Sequence, residues 1–417
     1  MTTSMAKCSF CGRPRNEVKS LVGNADGPFI CERCIGSAHK ALQADAVKTQ
    51  AKKEEPLKKP MEIKEFLDQF VIAQDRAKTD MAVAVYNHYK RREAFKTGFV
   101  FTGGPVEIDK SNILLLGPTG TGKTHIARAI ARMLNVPFHV ADATRLTAAG
   151  YVGDDVESLL QGLLRAADGD VDRAQWGIIF VDEIDKIARK SGRNQSGFKD
   201  VGGEAVQQAL LKIIEGGKVA IPREMGQRMV GAGTATEVID TTNILFIAAG
   251  SFAGIEEEVT QRLNKGASLG FGATSRAKHT PTEVYAAITT DDILEFGMIP
   301  EFVGRIPVLT STYELSEEDM VRVLTEPKNS IHRQMQALWA MDGIDLQFDP
   351  EALRAIARLA KKNPTGARAL RGIVEGCLAK YAFTAPSHPN LKALRVTEDT
   401  VAGGPAILVE KGARVNG

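Results

Sequence analysis

Short apolar runs alternate with segments of helical spacing along the middle of the chain. The apolar runs lie at residues 113–116, 136–141, 178–181 and 244–248. The segments with helical spacing lie at residues 125–134, 155–167 and 206–215. Such runs are typical of strands buried on both faces of a parallel sheet, because helices between them cover those faces. The pattern therefore predicts an α/β fold with a parallel sheet flanked by helices.

The flanking segments have a different pattern. Helical spacing is found at residues 61–95, 315–338, 351–362 and from residue 366 onwards. In the C-terminal part only short strands are indicated, at residues 344–348 and 394–396. We therefore expect a second, smaller and mainly helical domain near the C-terminus. The Gly-rich tail from residue 403 is expected to be loose.

Composition excludes some classes of protein. Of 417 residues, 43% are hydrophobic and 25% are charged, which is an ordinary globular balance. The net charge of +2 creates no overall field that would require a nucleic acid or a membrane surface as partner. No apolar run approaches the ~20 residues of a membrane span, and the N-terminus lacks the apolar core of a signal peptide. We expect a soluble cytoplasmic protein with neither nucleic acid nor membrane among its partners.

Four of the five cysteines form two pairs near the N-terminus. They are Cys8, Cys11, Cys31 and Cys34, in the pattern C-x2-C-x19-C-x2-C. Two such pairs can place four thiolates around one Zn²⁺, and four protein ligands leave no open position for catalysis. The alternative is a set of four unliganded thiols. We predict a structural zinc site in a small module, which is expected to contact protein rather than nucleic acid because acidic residues are interspersed among its basic ones.

Residues 117–124 match the phosphate-binding loop pattern G-x-x-x-x-G-K-[ST], between a predicted strand and a predicted helix. Glycines let backbone N–H groups turn toward phosphates. Lys123 would reach the β- and γ-phosphates, and Thr124 would offer its hydroxyl to Mg²⁺. The alternative is a Gly-rich turn with a solvated lysine. The predicted nucleotide-binding residues of this loop are Gly117, Pro118, Thr119, Gly120, Thr121, Gly122, Lys123, Thr124 and His125.

Two acidic residues follow the third apolar run. Asp182 would hold Mg²⁺ beside Thr124, and Glu183 would orient or deprotonate the attacking water. Adjacent Asp-Glu pairs are common, but an apolar strand before the pair and a phosphate-binding loop upstream make this pair informative. Ser251, just beyond the fourth run, is a candidate contact for the γ-phosphate, although small polar residues at strand ends more often have a structural role.

Apolar side chains stand at three further positions where ligand or protein binding is plausible. Val71 and Ile72 would either wall the nucleotide base or pack in the core, and the spacing does not decide between the two. Tyr151 and Val152 lie between two glycines, so that Tyr151 is either displayed on a loop or folded back on its own domain. Residues 269–271 expose Leu and Phe within a Gly-rich stretch, which indicates an interaction loop.

Together these residues resemble the AAA+ ATPases, and among them the protein-unfolding subunits of the Clp proteases. The resemblance covers nearly the whole chain. Beside the four-cysteine module, it rests on residues 71–74, 117–124, 141–154, 178–190, 207–212, 299–308 and 366–371. It implies a zinc-binding domain at 1–43, a linker at 44–60, a large AAA+ ATPase domain at 61–312, a small AAA+ domain at 313–402 and a tail at 403–417.

The resemblance implies roles for two arginines. Arg305, in Gly-Arg-Ile-Pro, resembles the arginine finger that reaches the nucleotide of a neighbouring subunit. Arg368, in Gly-Ala-Arg, resembles the sensor-2 arginine of the small domain. A phosphate-binding loop hydrolyses ATP poorly until a cation neutralises the charge that develops on the γ-phosphoryl group, an effect worth ~10³ in rate. If that cation comes from the next subunit, hydrolysis requires a ring.

Two loops are implied to contact other proteins. The segment with Tyr151 and Val152 resembles the pore loop that grips the polypeptide substrate. Residues Leu269, Gly270 and Phe271 are similar to the Ile-Gly-Phe loop that docks on the ClpP peptidase, with Leu in place of Ile. Residues 222–237 depart from the family, because they lack the Arg-Lys-His character of its basic pore loop.

The function that the resemblance implies is that of an ATP-dependent protein unfoldase and translocase. It would form a homo-hexamer, recognise protein substrates and adaptor proteins, and feed unfolded chains to ClpP, with ATP, Mg²⁺ and Zn²⁺ as cofactors. One alternative is an AAA+ nucleic-acid motor, and another is a remodelling chaperone that works without a peptidase. A third, a zinc-based adaptor with an inactive ATPase, is disfavoured by the presence of Lys123, Glu183 and Arg305.

Overall fold

A computed structural model describes residues 7–23, 28–38, 57–98, 102, 106, 108–147, 154–189, 201–222, 236–267 and 279–410. The chain divides into two units, Met1–Leu57 and Lys58–Gly417. Within the described ranges, no helix combines the length and the apolar character needed to cross a membrane.

The N-terminal unit is organised around its cysteines. Strands β1 (Leu21–Gly23) and β2 (Phe29–Cys31) form an antiparallel ribbon in which Leu21 pairs with Cys31. Among the described residues of this unit, only Cys8 and Cys31 are buried apolar side chains, while Phe10 is 78% exposed. The described part of the unit therefore buries too little apolar surface to fold on that basis alone.

The second unit contains the remaining strands. They are β3 (Ile113–Leu116), β4 (Phe138–Asp142), β5 (Leu146–Thr147), β6 (Asp154–Asp155), β7 (Ile178–Asp182), β8 (Lys218–Pro222), β9 (Thr236–Asp240), β10 (Leu245–Gly250), β11 (Val308–Ser311), β12 (Asp345–Phe348), β13 (Leu391–Val396) and β14 (Ile407–Glu410).

Helices cover these strands. They are α1 (Pro60–Asp68), α2 (Asp75–Thr97), α3 (Lys123–Leu134), α4 (Ser158–Ala166), α5 (Val171–Ala174), α6 (Val201–Ile214), α7 (Ile255–Ala267), α8 (Pro281–Ala286), α9 (Thr290–Phe296), α10 (Pro300–Gly304), α11 (Glu317–Thr325), α12 (Ile331–Met341), α13 (Pro350–Lys362), α14 (Ala369–Thr384) and α15 (Glu398–Val401).

The central sheet has the strand order β11-β3-β10-β7-β4, and every neighbouring pair is parallel. All side chains of β3 and β10 are buried, as their unbroken apolar runs predict. This arrangement confirms the predicted α/β fold. The fifth strand, β11, was not predicted from the sequence because two of its four residues are polar. Thr310 donates to an Asp80 oxygen at 2.7 Å, and Ser311 donates to the Tyr285 carbonyl at 3.0 Å, so both hydroxyls are buried with partners.

Two apolar clusters hold the second unit together. The first, here called the sheet core, surrounds the central sheet and contains Phe246, Phe252 and Phe302. The other, here called the C-terminal core, contains Trp339 and Ile356 and packs helices against the three-stranded sheet β12-β13-β14. The C-terminal core confirms the smaller, mainly helical domain that the sequence predicts.

The tail differs from its prediction. We expected residues from 403 onward to be loose, but Ile407–Glu410 forms strand β14, antiparallel to β13. Its backbone gains ladder hydrogen bonds that a composition-based prediction cannot anticipate. The Ala406 N–H also donates to the Tyr381 hydroxyl at 2.6 Å, which anchors the start of the strand.

Candidate functional site

The carboxyl edge of the central sheet gathers the segments that were predicted to bind phosphate. In the parallel register, Leu116 at the end of β3 lies beside Gly250 of β10 and Ser311 of β11. Asp182 ends β7 at the same edge. Residues 117–122 leave β3 here and lead into α3. Ligands of open parallel sheets bind at this kind of crevice, next to a helix N-terminus.

Glycines give the phosphate-binding loop its shape. Gly117, Gly120 and Gly122 have φ values of 135°, 82° and 96°, a region that side chains with a Cβ rarely adopt. A Cβ on Gly117 would also collide with Thr312, which follows β11. The Thr121 and Thr312 hydroxyls are 2.7 Å apart. The loop is therefore fixed against the strand that the sequence did not predict.

Lys123 is held inside the loop that precedes it. Only 8% of the residue is exposed, and its Nζ donates to the carbonyl oxygens of Gly117 at 2.5 Å and Pro118 at 2.9 Å. Burial lowers the pKa of Lys123 to about 8, against the opposing attraction of Asp182. A bound phosphate would favour the charged ammonium and exchange these two hydrogen bonds for stronger ones.

Thr124 and Asp182 present adjacent oxygens. The Thr124 hydroxyl donates to Asp182 Oδ2 at 3.0 Å, which brings the start of α3 to the end of β7. A hydroxyl and a carboxylate in this position match the hard oxygen ligands that Mg²⁺ prefers beside a nucleotide. Glu183 is exposed and has a left-handed φ of 57°, a strained conformation that clusters at functional sites. Its N–H donates to Asp182 Oδ1 at 3.0 Å.

Asp185 is a member of the site that the sequence interpretation missed. It is buried, and it accepts hydrogen bonds from the Ser251 N–H at 3.1 Å and the Ser251 hydroxyl at 3.0 Å. Lys186 forms an ion pair with it at 3.0 Å. Ser251, predicted as a candidate γ-phosphate contact, is thus held at the cavity by an acid of the neighbouring strand end. The signal was the third acid in Asp-Glu-Ile-Asp.

A cavity of about 500 Å³ joins these groups, and it is here called the central cavity. Predicted residues that line it are Val71, Ile72, Thr119, Gly120, Thr121, Gly122, Lys123, Thr124, His125, Asp182, Glu183, Ser251 and Arg368. One wall is apolar, with Val71, Ile72, Leu315 and Ile331. A cavity of this volume with both apolar and cationic side chains in its lining suits a nucleoside phosphate. Val71 and Ile72 are buried and also line the cavity, so core packing is shown, and contact with a nucleotide base stays a prediction.

The C-terminal core reaches the phosphate-binding loop directly. A Cβ on Gly120 would collide with the carbonyl oxygen of Thr365. Arg368, three residues further on, lines the central cavity, and its charge helps to lower the pKa of Lys123. The cavity therefore lies between the two cores, with Leu315 and Arg368 contributed from the C-terminal side.

The N-terminal unit brings its four predicted zinc ligands together. The Sγ atoms of Cys8, Cys11, Cys31 and Cys34 all lie within 4.8 Å of one another. The Cys31 N–H donates to Cys8 Sγ at 3.3 Å, and backbone N–H groups, that of Cys11 foremost, lower the pKa of the Cys8 thiol to about 6. Burial and the neighbouring thiols raise the pKa of Cys34 to about 12, so the fit to Zn²⁺ rests on the four closely grouped sulfur atoms, which match the ligand set of a structural zinc site.

Comparison with known families matches three segments. Residues 6–44 match the ClpX C4-type zinc finger, residues 108–309 match the AAA domain (Cdc48 subfamily), and residues 315–394 match the C-terminal, D2-small domain of ClpB protein.

Curated relatives match almost the whole chain. The ATP-dependent Clp protease ATP-binding subunit ClpX of Treponema denticola is 44% identical over 94% of this chain and 93% of its own length. That of Azotobacter vinelandii is 44% identical over 92% and 87%. The subunit named ClpX 3 of Methylococcus capsulatus is 45% identical over 96% and 94%. The chain belongs to the ClpX family.

Family membership shows which cofactors the chain uses. This ClpX-family chain is an ATPase, and its cofactors are ATP, Mg²⁺ and Zn²⁺. The predicted resemblance to the protein-unfolding subunits of the Clp proteases is confirmed. The roles given to single side chains of the central cavity stay predictions, to which the geometry above adds distances and burial.

Arg305 lies apart from the central cavity of this ClpX-family chain. It precedes β11, whose Val308 pairs with Ile113 at the amino edge of the sheet, and its carbonyl accepts a hydrogen bond from Asn112 at 2.9 Å. Its guanidinium pairs with Glu215 at 3.1 Å, and the two side chains are 58% and 46% exposed. Arg305 therefore presents its charge outward, at the sheet edge opposite to Lys123.

A second cation lies under the amino edge. Lys110 donates to the Thr241 carbonyl at 3.0 Å, and its Nζ stands 5.0 Å from the centre of the Phe246 ring. Burial lowers the pKa of Lys110 to about 7, with a further contribution from the charge of Arg91. This lysine packs against Phe246 of the sheet core and does not line the central cavity.

Some predicted site residues lie outside the described residues. They are Tyr151, Val152, Leu269, Gly270 and Phe271. The same holds for most of the departing segment at 222–237 and of the linker at 44–60. Of the predicted loop residues, Gly117 directly follows β3, and Pro118 lines a neighbouring cavity rather than the central one.

Proposed function

We propose that this ClpX-family ATPase is a protein unfoldase and translocase that works as a homo-hexamer in the cytoplasm and passes unfolded chains to the ClpP peptidase. The observation that carries the proposal is the position of the central cavity between two separate cores. ATP in this cavity touches both, so that binding and release of nucleotide act on their relative orientation. The names of the relatives, as ATP-binding subunits of an ATP-dependent Clp protease, supply the partner.

Hydrolysis is assigned to the cavity groups. Lys123 would bind the β- and γ-phosphates, and Thr124 and Asp182 would hold Mg²⁺. Glu183, exposed at the end of β7, would orient the attacking water or accept its proton. Arg368 would contact the nucleotide from the C-terminal core of the same chain.

Arg305 is assigned to the neighbouring subunit's nucleotide. It is exposed, lies at the far edge of its own sheet, and pairs with an exposed carboxylate. An exposed ion pair of this kind is weak, so that the guanidinium is available to a stronger anion. A γ-phosphate in the cavity of an adjacent copy is such an anion, and a closed ring would give every cavity one such arginine.

Substrate contact is assigned to Tyr151 and Val152, and ClpP docking to Leu269, Gly270 and Phe271. An aromatic and a β-branched side chain grip by contact area, which accommodates many polypeptide sequences. Leu has nearly the volume of the Ile that the family carries at position 269, so docking should be retained. Tags and adaptor proteins would be distinguished by other segments, of which residues 222–237 differ most from the family pattern.

The test is degradation of a tagged, folded protein by this chain together with ClpP, with and without ATP. We expect degradation only when ATP and both proteins are present. Tyr151→Ala should keep ATP hydrolysis and lose unfolding, while Tyr151→Phe, which keeps the ring, should retain both. Equal unfolding by Tyr151→Ala would overturn the pore assignment. Unfolding without degradation would favour the remodelling chaperone, and ATPase stimulation by DNA but not by unfolded protein would favour the nucleic-acid motor.

A further inference from the structure

The turn that carries the apolar wall of the central cavity has an unusual backbone. Val71 and Ile72 line the cavity, and the next two residues, Ala73 and Gln74, both have left-handed φ values, of 55° and 60°. Non-glycine residues seldom adopt this conformation, and two in succession persist only where the surroundings hold them. Gln74 is 1% exposed and precedes α2 without capping it, so its side chain is used elsewhere.

That side chain is paired with the main chain of Tyr313. Gln74 Nε2 donates to the Tyr313 carbonyl at 2.7 Å, and the Tyr313 N–H donates to Gln74 Oε1 at 2.9 Å. The Gln74 N–H donates to the Tyr313 hydroxyl at 3.2 Å. The amide therefore satisfies both backbone groups of one residue, as a neighbouring strand would, in a place where water does not compete.

Tyr313 is where the chain leaves one core for the other. Thr312 before it contacts the phosphate-binding loop, and Leu315 after it belongs to the C-terminal core and lines the central cavity. On the opposite side, Ala73 packs against the C-terminal core, and the Lys328 N–H donates to the Gln69 carbonyl at 3.1 Å. The cavity wall and the inter-core segment are thus joined at several points, of which Gln74 is the central one.

We propose that Gln74 is a positioning residue that locks the apolar wall of the central cavity to the inter-core segment at Tyr313, so that nucleotide binding and the orientation of the two cores change together. When nucleotide packs on Val71 and Ile72, the displaced turn moves Tyr313 through the paired amide. This coupling between the cavity wall and Tyr313 requires only that the cavity binds ATP. The idea that the coupling serves to pull on a polypeptide rests on the proposed function.

A second buried glutamine provides a matched control. Gln207 is fully buried, its Nε2 donates to the Ile187 carbonyl at 2.7 Å, and its Oε1 accepts from the Ile299 N–H at 2.8 Å. Both partners belong to the sheet core. Gln74→Met and Gln207→Met therefore each remove one donated and one accepted hydrogen bond to the main chain. In Gln74→Met these bonds connect the two cores, and in Gln207→Met they lie within the sheet core.

The experiment measures the affinity for MgADP and the nucleotide-induced change in distance between labels at two exposed positions. Val238 on β9 and Met341 on α12 are 52% and 82% exposed, and they would carry fluorescent unnatural amino acids. We expect Gln74→Met to weaken MgADP binding about tenfold, the loss expected for roughly one hydrogen bond, and to reduce the distance change by more than half. Gln207→Met should lower the melting temperature and leave both quantities within about twofold of the wild type.

A purely structural role for Gln74 predicts the opposite pattern. The two variants would then be equally destabilised, and folded Gln74→Met would bind MgADP and change distance as the wild type does. That outcome would overturn the proposal. Neither measurement involves unfolding or ClpP, so that failure here leaves the proposed function standing, and failure of the degradation assay leaves this inference standing.

Gln74→Glu supplies a second measurement in case Gln74→Met does not fold. A neutral carboxylic acid can donate to the Tyr313 carbonyl and accept from its N–H, whereas the carboxylate cannot donate and faces a carbonyl oxygen. MgADP affinity and the distance change should therefore be near wild type at about pH 5.5 and fall toward the Gln74→Met level at about pH 8.5. Affinity ratios to the wild type that do not change with pH would contradict the proposal.

Discussion

The zinc cluster and the central cavity are both candidate sites for a small charged ligand, but they stand in opposite relation to the fold around them. Among the described residues of the N-terminal unit, the only buried apolar side chains are two of the four cysteines themselves. The central cavity lies between two cores that each bury many apolar side chains of their own, one around the parallel sheet and the other near the C-terminus.

The difference separates two uses of ligand binding. Where the ligand-binding residues themselves form the core, as in the N-terminal unit, the free energy of ligand binding is also the free energy of folding. The unit is then folded with the ligand and unfolded without it. Where the ligand bridges cores that already exist, binding energy can change their orientation instead. The predictions below test this contrast, from the largest expected free energy to the smallest.

Removal of zinc should unfold the N-terminal unit and leave the central cavity and its sheet intact. We expect a zinc-selective chelator, with Mg²⁺ in excess, to abolish amide protection in residues 7–38, because structural zinc contributes on the order of 10 kcal/mol in such modules. Protection of β3 and β10 and the ATPase rate of the same sample should stay within about twofold, since neither the sheet core nor the cavity includes the cluster. Hydrogen exchange with mass spectrometry measures this protection.

Two cysteine variants serve as controls. Cys31→Ser should reproduce the loss of protection, and Cys377→Ser, which lies outside the cluster, should not. Retained protection after chelation would contradict the prediction.

Arg305→Ala should lower ATP turnover by about 10³, or about 4 kcal/mol of transition-state stabilisation, if its charge serves a neighbour's cavity. The free energy of unfolding should change by less than about 1 kcal/mol, because the pair with Glu215 is exposed. Arg358→Ala, which breaks another exposed pair, with Glu398, is the matched control and should leave turnover unchanged.

Mixing two inactive variants sharpens the Arg305 prediction. Arg305→Ala keeps Glu183, and Glu183→Gln keeps Arg305, so a mixed assembly contains some interfaces with both groups intact. Steady-state turnover should then recover to a measurable fraction of the wild-type rate. A mixture as inactive as its components would argue that Arg305 acts within its own chain.

Glu183→Gln should reduce hydrolysis at least about a hundredfold and leave nucleotide affinity within about threefold. The substitution keeps the shape of the side chain but removes the carboxylate that would orient or deprotonate water. Single-turnover hydrolysis and equilibrium ATP binding separate the two quantities. Glu257→Gln, at an exposed carboxylate of α7, should be neutral in both, and normal turnover by Glu183→Gln would remove Glu183 from the mechanism.

The smallest expected effect is on the pH dependence of stability, through Lys110, which packs against Phe246 of the sheet core. Its pKa is about 7 in the folded protein and about 10.5 in an unfolded chain, so the unfolded chain binds more protons between these values. Stability should therefore rise with pH in this window, by at most about 1.4 kcal/mol per pH unit. Relative to Lys110→Met, the wild type should gain about 2 kcal/mol of unfolding free energy between pH 7 and 9, measured by urea denaturation. Lys361→Met, at an exposed lysine, should follow the wild-type curve, and parallel curves for Lys110→Met would contradict the assignment.

The sequence alone predicts features whose physics is local. The cysteine spacing, the phosphate-binding loop and the acids after β7 each lie within a few dozen residues, and each is found where predicted. Four strands of the sheet were likewise predicted. In β3, β7 and β10 burial on both faces produces an unbroken apolar run, whereas β4 lies at the sheet edge and none of its residues is buried. Local chemistry of this kind can be interpreted without knowing which segments meet.

What the sequence could not predict depends on contacts between distant segments. Strand β11 was missed because Thr310 and Ser311 are buried with polar partners that the pattern does not contain. Asp185 and Gln74 look like ordinary polar residues until Ser251 and Tyr313 are brought beside them. The edge on which Arg305 lies follows from the register of β11 with β3, and the strand β14 follows from its pairing with β13.

The shortness of β3 and β11 has a consequence for enzyme kinetics. Four residues of strand span about 13 Å, and this length separates the sheet edge near Arg305 from the edge that carries Lys123. If nucleotide binds in the central cavity as proposed, the strand acts as a spacer that keeps each chain's arginine away from its own nucleotide. In the proposed assembly, ATP hydrolysis requires contact between two copies of the chain. The specific ATPase activity therefore depends on protein concentration. Dilution alone would then switch the enzyme off, without inhibitor or chemical modification.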